Sequence, residues 1–430
     1  MHLKKAIGQN ILWRGLYMAS TFALNVLVSR LLSADKAGGI FFIVNNVSLL
    51  LLITGFSLES GMTFYLAKKQ ITPLKIGIFS VLYAIVASVL CVYLYHYFFS
   101  SINIFIGNDK LQMLLPFAFG TMLTTFFSGL FSAQQNFKLP NIVLLVTNCL
   151  LVFFLIGLKK TAALDAEIYN FYFAAFGLQG ILLAIVFFVR YGKSEKLTEK
   201  KIGIFSLIFQ YSILAAIANI IYFLLYRVDY WFVNKYCSAA DLGNYIQASK
   251  LGQLFLSIPS IIGASVFALI AGQKDDGSKK NVLKVSQTVF VFAAVVMAIF
   301  IGIGKWLFPF VFGNSFNKMY SAFVLLAPGI LAICFLYPLT AYFSGIKLIK
   351  VNIAGSALAL MVLAILDLIF IPLFGINAAA AVSSIGYCMY AFYVTRLFCQ
   401  KNNIPFTSIF EIGKIDFKRM LNATHEDIEQ

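Results

Sequence analysis

Uninterrupted apolar runs of about 20 residues recur along the whole chain and constrain its fold more than any other feature. Hydrophobic residues make up 61% of the 430 residues, and only 12% are charged. A soluble domain carries roughly 25% charged residues. Because a helix of about 20 residues can cross a hydrocarbon core of roughly 30 Å, the sequence predicts an all-α polytopic membrane protein.

Twelve such runs fit the chain as membrane spans, in two sets of six. The polar segment 191–202 predicts a cytoplasmic linker between an N-terminal lobe, 1–190, and a C-terminal lobe, 203–400, and residues 401–430 form a polar tail. The predicted spans are 10–33, 38–64, 76–99, 112–136, 140–158 and 168–190, then 203–233, 243–271, 283–304, 319–345, 351–371 and 376–398.

Lysine and arginine are unevenly distributed between the spans. With the N-terminus inside, 22 of the 33 lie in inner segments and eight in outer segments, and Arg14, Arg227 and Lys250 remain within spans. Because inner loops of membrane proteins are enriched in positive charge, both termini are predicted to be cytoplasmic. Topology thus explains the net charge of +16, and nucleic acid is not predicted as a partner.

Two short sequence matches relate the halves. Ala34 and Gly38 match Ala239 and Gly243 at an offset of 205 residues, and FSAQQNFK ending at 138 matches FSGIKLIK ending at 350 at an offset of 212. Each half has an even number of spans, so both halves begin on the same membrane face. This predicts two parallel six-helix repeats around a central cleft.

Three ionisable residues, Arg227, Asp229 and Lys250, lie deep in the second half. A charged side chain inside a membrane usually faces a cavity or a partner. Residues two apart point about 200° away from each other on a regular helix, so we expect only one of Arg227 and Asp229 to face the cleft. A structural ion pair of Asp229 with Lys250 or Arg227 is the alternative.

Other polar side chains have competing interpretations. Arg14, near the inner end of the first span, either reaches the headgroups or contacts a substrate phosphate. Tyr222 and Tyr226 either stack on sugars or pack against helices. Glu59 and Asp367 are expected as interfacial charges.

These assignments give a net charge of about +2 inside the membrane, and this favours an anionic substrate. Prolines also fall inside spans four, eight and ten and predict kinks there, at Pro116, Pro259, Pro328 and Pro338.

Three motifs support a family resemblance. Asp229 is followed by a short outer turn and by Gly243-Asn-Tyr-Ile-Gln-Ala248, the first span ends in LVSRLLSADKAGGIFF (27–42), and the last opens with FGINAAAAVSSIGY (374–387). With twelve spans and inner termini, the sequence resembles the Wzx-like O-antigen and polysaccharide flippases of the multidrug/oligosaccharidyl-lipid/polysaccharide (MOP) exporter superfamily.

The resemblance implies a MATE-like fold and a transporter in the bacterial inner membrane. Its substrate would be an undecaprenyl-diphosphate-linked oligosaccharide, flipped from the cytoplasmic to the outer leaflet by alternating access. Membrane lipids, a polysaccharide polymerase and chain-length proteins are the implied partners. The expected cleft residues are Arg14, Arg227, Asp229, Lys250, Tyr222 and Tyr226.

Motifs of other functional classes are missing from the sequence. The six cysteines are isolated and the three histidines are far apart, so neither a metal nor a cofactor is expected. No HExxH, GxxxxGK[ST] or serine triad pattern occurs, and no enzyme activity is predicted. Three alternatives remain: a cation-coupled multidrug exporter, a membrane polysaccharide polymerase or ligase, and a lipid II flippase.

Overall fold

The computed structural model describes residues 3–99, 113–157, 164–193, 203–272 and 278–411, and all regular elements in these ranges are helical. Most of the predicted linker (194–202), the end of the tail (412–430) and parts of three predicted loops (100–112, 158–163 and 273–277) lie outside them. The α-helices are α1 Leu3–Gly55, α2 Leu58–Ala67, α3 Pro73–Phe99, α4 Leu114–Ala133, α5 Lys138–Gly157, α6 Leu164–Tyr191, α7 Ile204–Leu225, α8 Asp229–Tyr236, α9 Ala239–Phe255, α10 Ser257–Gly272, α11 Ser278–Phe312, α12 Met319–Gly345 and α13 Ile349–Asn402.

The described segments account for all twelve predicted crossings. Ten are long and apolar enough to cross a membrane, and two of these, Leu12–Gly55 and Ile349–Asn402, have 44 and 54 residues. Each of the two is broken once, at Ser33 (φ 67°) and at Gly375 (φ 63°). Since each broken segment supplies two crossings, the twelve-span prediction is confirmed.

Equivalent helices of the two halves begin 205 residues apart, which is the offset of the first sequence match. The second part of α1 starts at Ala34, beyond the break at Ser33, and α9 starts at Ala239, its matched residue in the second half. Spans two and eight therefore begin at equivalent positions of the two repeats.

The second sequence match has the larger offset, 212 residues, because one pair of equivalent helices differs in length. α4 begins at Leu114 and α12 begins at Met319, which are 205 residues apart. The two helices end at Ala133 and Gly345, which are 212 residues apart. α12 has 27 residues where α4 has 20, so the longer helix accounts for the change of offset. Both sequence matches therefore belong to a single repeat with one insertion, as the two-repeat prediction requires.

The described residues pack into two units. Unit 1 comprises those within Met1–Tyr230, Ser238–Ile246 and Phe308–Phe316, and unit 2 comprises those within Trp231–Cys237, Gln247–Leu307 and Asn317–Gln430. The lobes 1–190 and 203–400 are defined by the repeat and stay a prediction.

A network of neutral polar side chains stabilises unit 1. The Asn148 amide donates to Ser20 Oγ (3.1 Å) and Thr21 Oγ1 (2.9 Å) on α1. Gln179 on α6 donates to Thr147 Oγ1 (2.7 Å) and Asn148 Oδ1 (3.4 Å). Because the hydrocarbon core offers no water, these groups satisfy one another and hold α1, α5 and α6 together.

In unit 2, the beginning of the polar tail packs against α11. Gln287 is buried, and its amide donates to the carbonyl oxygens of Ser408 (2.9 Å) and Ile409 (3.0 Å). The ring of Phe406, in the same 3₁₀ turn, lies 5.8 Å from that of Phe392 on α13. The described part of the tail is therefore ordered by specific contacts.

Candidate functional site

Three of the predicted spans are interrupted. Span two breaks at Phe56 and Ser57, both in the left-handed region (φ 49° and 48°). Span seven breaks at 226–228, and span eight breaks at Leu256, three residues before Pro259, where the sequence predicts a kink. The breaks in spans two and seven have no proline beside them and were not predicted. Discontinuous helices are typical of transporter binding sites.

The break in span seven lies next to the predicted site residues. The N–H groups of Arg227 and Val228 both bond to the carbonyl of Leu224, at 3.1 and 2.8 Å, and α8 then begins at Asp229. The tightened turn changes the rotation per residue from about 100° to about 120°, so residues two apart still point in clearly different directions. The expectation that only one of Arg227 and Asp229 faces the cleft stays a prediction.

Asp229 is held by a tyrosine from the next span. Its side chain is 1% exposed, and the hydroxyl of Tyr245, which is fully buried, donates to Asp229 Oδ2. The rings of Tyr230 and Tyr245 meet at 90° with centroids 5.8 Å apart. Sequence reasoning placed Tyr245 in a family motif but missed its hydrogen bond to Asp229.

Arg227 lies among aromatic rings. Its guanidinium carbon is 4.8 Å from the ring centroid of Phe223, and the rings of Tyr222 and Tyr226 stack with centroids 6.4 Å apart. Arg227, Tyr222 and Tyr226 are each half-buried. A cation over an aromatic face is attracted by the ring, and a guanidinium held in this way can still present its N–H donors to a ligand.

The structure does not bring every predicted residue to this point. Arg14 is exposed on α1, near the inner end of the first span, and an arginine in this position can reach the headgroups. Lys250 is half-buried on α9 and belongs to unit 2, whereas Arg227 and Asp229 belong to unit 1. An ion pair of Asp229 with Lys250 stays a prediction.

The burial of Asp367 changes the predicted balance of charges inside the membrane. Its side chain is 0% exposed on α13, with Leu363 and Ile371, one turn away on either side, also buried. The expectation of an interfacial Asp367 is therefore wrong, while Glu59 is half-buried in the first turn of α2. The charges of the two bases, Arg227 and Lys250, are now balanced by those of the two buried acids. The predicted net charge of about +2 inside the membrane is therefore wrong.

Small residues at equivalent positions of the repeats pack backbone to backbone in unit 1. A Cβ on Gly243 would lie 1.8 Å from the carbonyl oxygen of Ala34, and one on Gly38 would lie 2.6 Å from the Gly243 Cα. Ser315 caps this crossing: its Oγ accepts from the Ala34 N–H, and its carbonyl accepts from the Asn244 amide, both at 3.0 Å. The matched residues of the two repeats are therefore in mutual contact.

Comparisons with known proteins identify the fold. No family model and no curated protein matches the sequence. An inward-facing MATE multidrug resistance transporter of the MOP superfamily aligns with 94% of this chain and 99% of its own, at 11% identity and a TM-score of 0.69. The lipid II flippase MurJ, in an inward closed conformation, aligns over 94% and 90% at 14% identity, also with a TM-score of 0.69.

A third structure extends the comparison to another conformation. The Vibrio cholerae MATE transporter VcmN in its bent form aligns over 94% of this chain and 98% of its own, at 13% identity and a TM-score of 0.64. At these identities the likeness concerns the fold. The protein is a multi-pass membrane protein with the fold of the MOP superfamily transporters.

Proposed function

We propose that the protein is a flippase that moves an undecaprenyl-diphosphate-linked oligosaccharide from the cytoplasmic to the outer leaflet. The observation that carries this proposal is the difference in burial between the intramembrane acids and bases. Asp229 and Asp367 are 1% and 0% exposed, whereas Arg227 and Lys250 are both half-buried. Although these four charges sum to zero, the accessible ones among them are positive; the half-buried Glu59 is left out because it is expected at the membrane interface.

The depth of Arg227 indicates a functional role. α8 ends at Tyr236, nine residues after Arg227, so the guanidinium lies about 14 Å from the outer end of the helix. An arginine at the centre of a membrane helix costs about 2.5–3.5 kcal/mol on insertion scales. A substrate that needs this charge explains why it is placed there.

The chemistry of Arg227 suits a diphosphate. A guanidinium donates two parallel hydrogen bonds to phosphate oxygens, and these are among the strongest hydrogen bonds in proteins. The nearby rings of Tyr222 and Tyr226 can stack on the apolar face of a sugar. The polyprenyl tail is expected to remain in the bilayer while the head group crosses. In this proposal Arg14 meets the diphosphate at the inner surface.

A cation-coupled multidrug exporter is the second candidate function. The burial of both Asp229 and Asp367 favours it, because buried carboxylates can bind a cation. The fold does not decide between the candidates, since its relatives include multidrug transporters and a lipid II flippase. We favour the flippase because both acids are less accessible than the bases.

The deciding experiment compares surface glycan and dye resistance in cells with and without the protein. Loss of the protein should trap undecaprenyl-diphosphate-linked glycan on the inner leaflet, and overproduction should not raise resistance to cationic dyes. Unchanged surface glycan on deletion, together with dye resistance that disappears in Asp229→Asn, would support the exporter instead.

A matched pair of variants tests the role of Arg227. Arg227→Gln should abolish glycan export at normal membrane protein levels. Lys235→Gln should leave export unchanged, although Lys235 also lies over an aromatic ring, 5.2 Å from the centroid of Tyr236, because its side chain is exposed at the outer end of α8. Equal export by both variants would remove Arg227 from the site.

A further inference from the structure

The repeat assigns a counterpart in the first half to Lys250. Lys250 lies eleven residues after Ala239, where α9 begins, and Asn45 lies eleven residues after Ala34, where α1 resumes. Eleven residues correspond to about 17 Å along a helix, which is close to the middle of a membrane. Asn45 is therefore a neutral amide at the position that a lysine occupies in the second repeat.

Two further charges deep in the second half, Arg227 and Asp229, also have neutral counterparts. At the offset that relates Ala34 to Ala239, Arg227 corresponds to Phe22 and Asp229 to Leu24. At these positions the two repeats differ in charge, and only the second is suited to an ionic group.

The amide of Asn45 is buried without hydrogen bonds. Its side chain is 2% exposed, and neither Nδ2 nor Oδ1 has a hydrogen-bond partner among the residues that the structure describes. The next residue, Asn46, is 1% exposed, and its Oδ1 also lacks a partner within the described ranges. Asn148 differs, because both ends of its amide are bonded within the network of unit 1.

An unsatisfied buried amide is costly. Leaving a buried polar group without a partner costs about 1–3 kcal/mol, and a bilayer supplies no water to reduce that cost. Leucine would fill a similar volume at this depth without the penalty. The amide is therefore best explained by a ligand that it meets in another state of the transport cycle.

We propose that Asn45, with Asn46 beside it, forms a neutral hydrogen-bonding site for the sugar of the lipid-linked substrate. An amide offers both donors and an acceptor, which match sugar hydroxyl and acetamido groups, whereas a phosphate is bound more strongly by charged donors. The proposal rests on the proposed flippase function and divides its substrate between the repeats. Sugar binds to the first repeat, and diphosphate binds to Arg227 in the second.

Substitution by leucine separates this role from simple packing. Asn45→Leu removes the unsatisfied groups, so the thermal stability of the purified protein should stay the same or rise while glycan export falls. Asn148→Leu is the control, because it removes the hydrogen bonds that Asn148 makes with Ser20, Thr21 and Gln179 and should lower stability. Full glycan export by a stable Asn45→Leu variant would overturn the proposal.

A binding experiment tests recognition of the sugar directly. Purified protein is titrated with undecaprenyl diphosphate alone and with undecaprenyl diphosphate that carries one N-acetylhexosamine, and binding is followed by the shift in unfolding temperature. The wild type should prefer the glycosylated probe. Asn45→Leu should lose about five- to tenfold in affinity for that probe alone, as expected for one or two hydrogen bonds. Arg227→Gln should weaken binding of both probes.

Each outcome has a distinct meaning. If the wild type binds neither probe, the proposed flippase function fails. If the wild type binds both equally, or if Asn45→Leu keeps the preference for sugar, the Asn45 site is refuted while the flippase function stands. Asn45→Ala, with the same expected loss, serves as the second variant if Asn45→Leu does not fold.

Discussion

The crossing of α1 and α9 within unit 1 offers a test that does not depend on any assumed substrate. Gly243→Ala adds one methyl group whose carbon would lie 1.8 Å from the Ala34 carbonyl oxygen and 2.7 Å from its carbonyl carbon. Non-bonded atoms pack at about 3.5–4.0 Å, so the two backbones must separate by more than about 1 Å. The neighbour is main chain and cannot rotate away.

The expected loss follows from two opposing terms. Overpacking typically costs about 1–3 kcal/mol, and replacing glycine by alanine inside a helix returns up to about 1 kcal/mol. Because the obstruction is rigid, the overpacking cost should lie near the upper end of its range. We therefore expect a net loss of about 2 kcal/mol in the free energy of unfolding. Gly38→Ala should act in the same direction, since its Cβ would lie 2.6 Å from the Gly243 Cα.

The assay is thermal unfolding of the purified protein in detergent without ligand. Gly302→Ala is the matched control, because a Cβ there would have nothing within 4 Å, and it should leave stability unchanged or slightly raised. If Gly243→Ala proves as stable as Gly302→Ala, the close approach of α1 and α9 is refuted.

Three further predictions follow from other contacts. Tyr245→Phe should cost about 1.5–3 kcal/mol of unfolding free energy because it removes a donor to a buried carboxylate; additivity with Asp229→Asn in a double-mutant cycle would contradict that contact. Gln287→Ala should release the chain at 405–411, so limited proteolysis there should be faster than in the wild type, and equal rates would refute the anchoring role. In a cysteine-free background, an impermeant thiol reagent added outside cells should label a cysteine at position 36 and not one at 196; labelling at 196 would reverse the predicted orientation.

The number and order of spans could be predicted from sequence because a hydrocarbon core requires long apolar runs. The repeat could also be predicted, since the two short matches have the same offsets as the helix boundaries. The interruption of span eight lies three residues before Pro259, where the sequence predicts a kink, but those of spans two and seven could not be predicted. Hydropathy is insensitive to backbone conformation, and the break in span two falls on Phe56 and Ser57, which are neither glycine nor proline. In contrast, α12 continues through Pro328 and Pro338.

The hydrogen bond from Tyr245 to Asp229 could not be predicted either. Sequence reasoning searched for opposite charges, and Arg227 and Lys250 were the available bases. A tyrosine hydroxyl can satisfy a carboxylate oxygen without adding charge, and Tyr245, sixteen residues later on α9, does so here. The burial of Asp367 was missed because its place near a span end indicated an interfacial position, whereas burial depends on packing between helices.

The repeat explains why substrate choice has to be argued from side chains. The same fold is found in multidrug transporters and in a lipid II flippase, so it does not specify the cargo. Within this chain spans two and eight begin at equivalent residues, while Asn45 in one occupies the position of Lys250 in the other. A scaffold that has a charge at this position in one repeat and a neutral amide in the other suits a substrate with one ionic and one neutral end. A lipid-linked oligosaccharide has both ends, in its diphosphate and its sugars, whereas a small cationic drug has no group that would require Arg227 and Lys250.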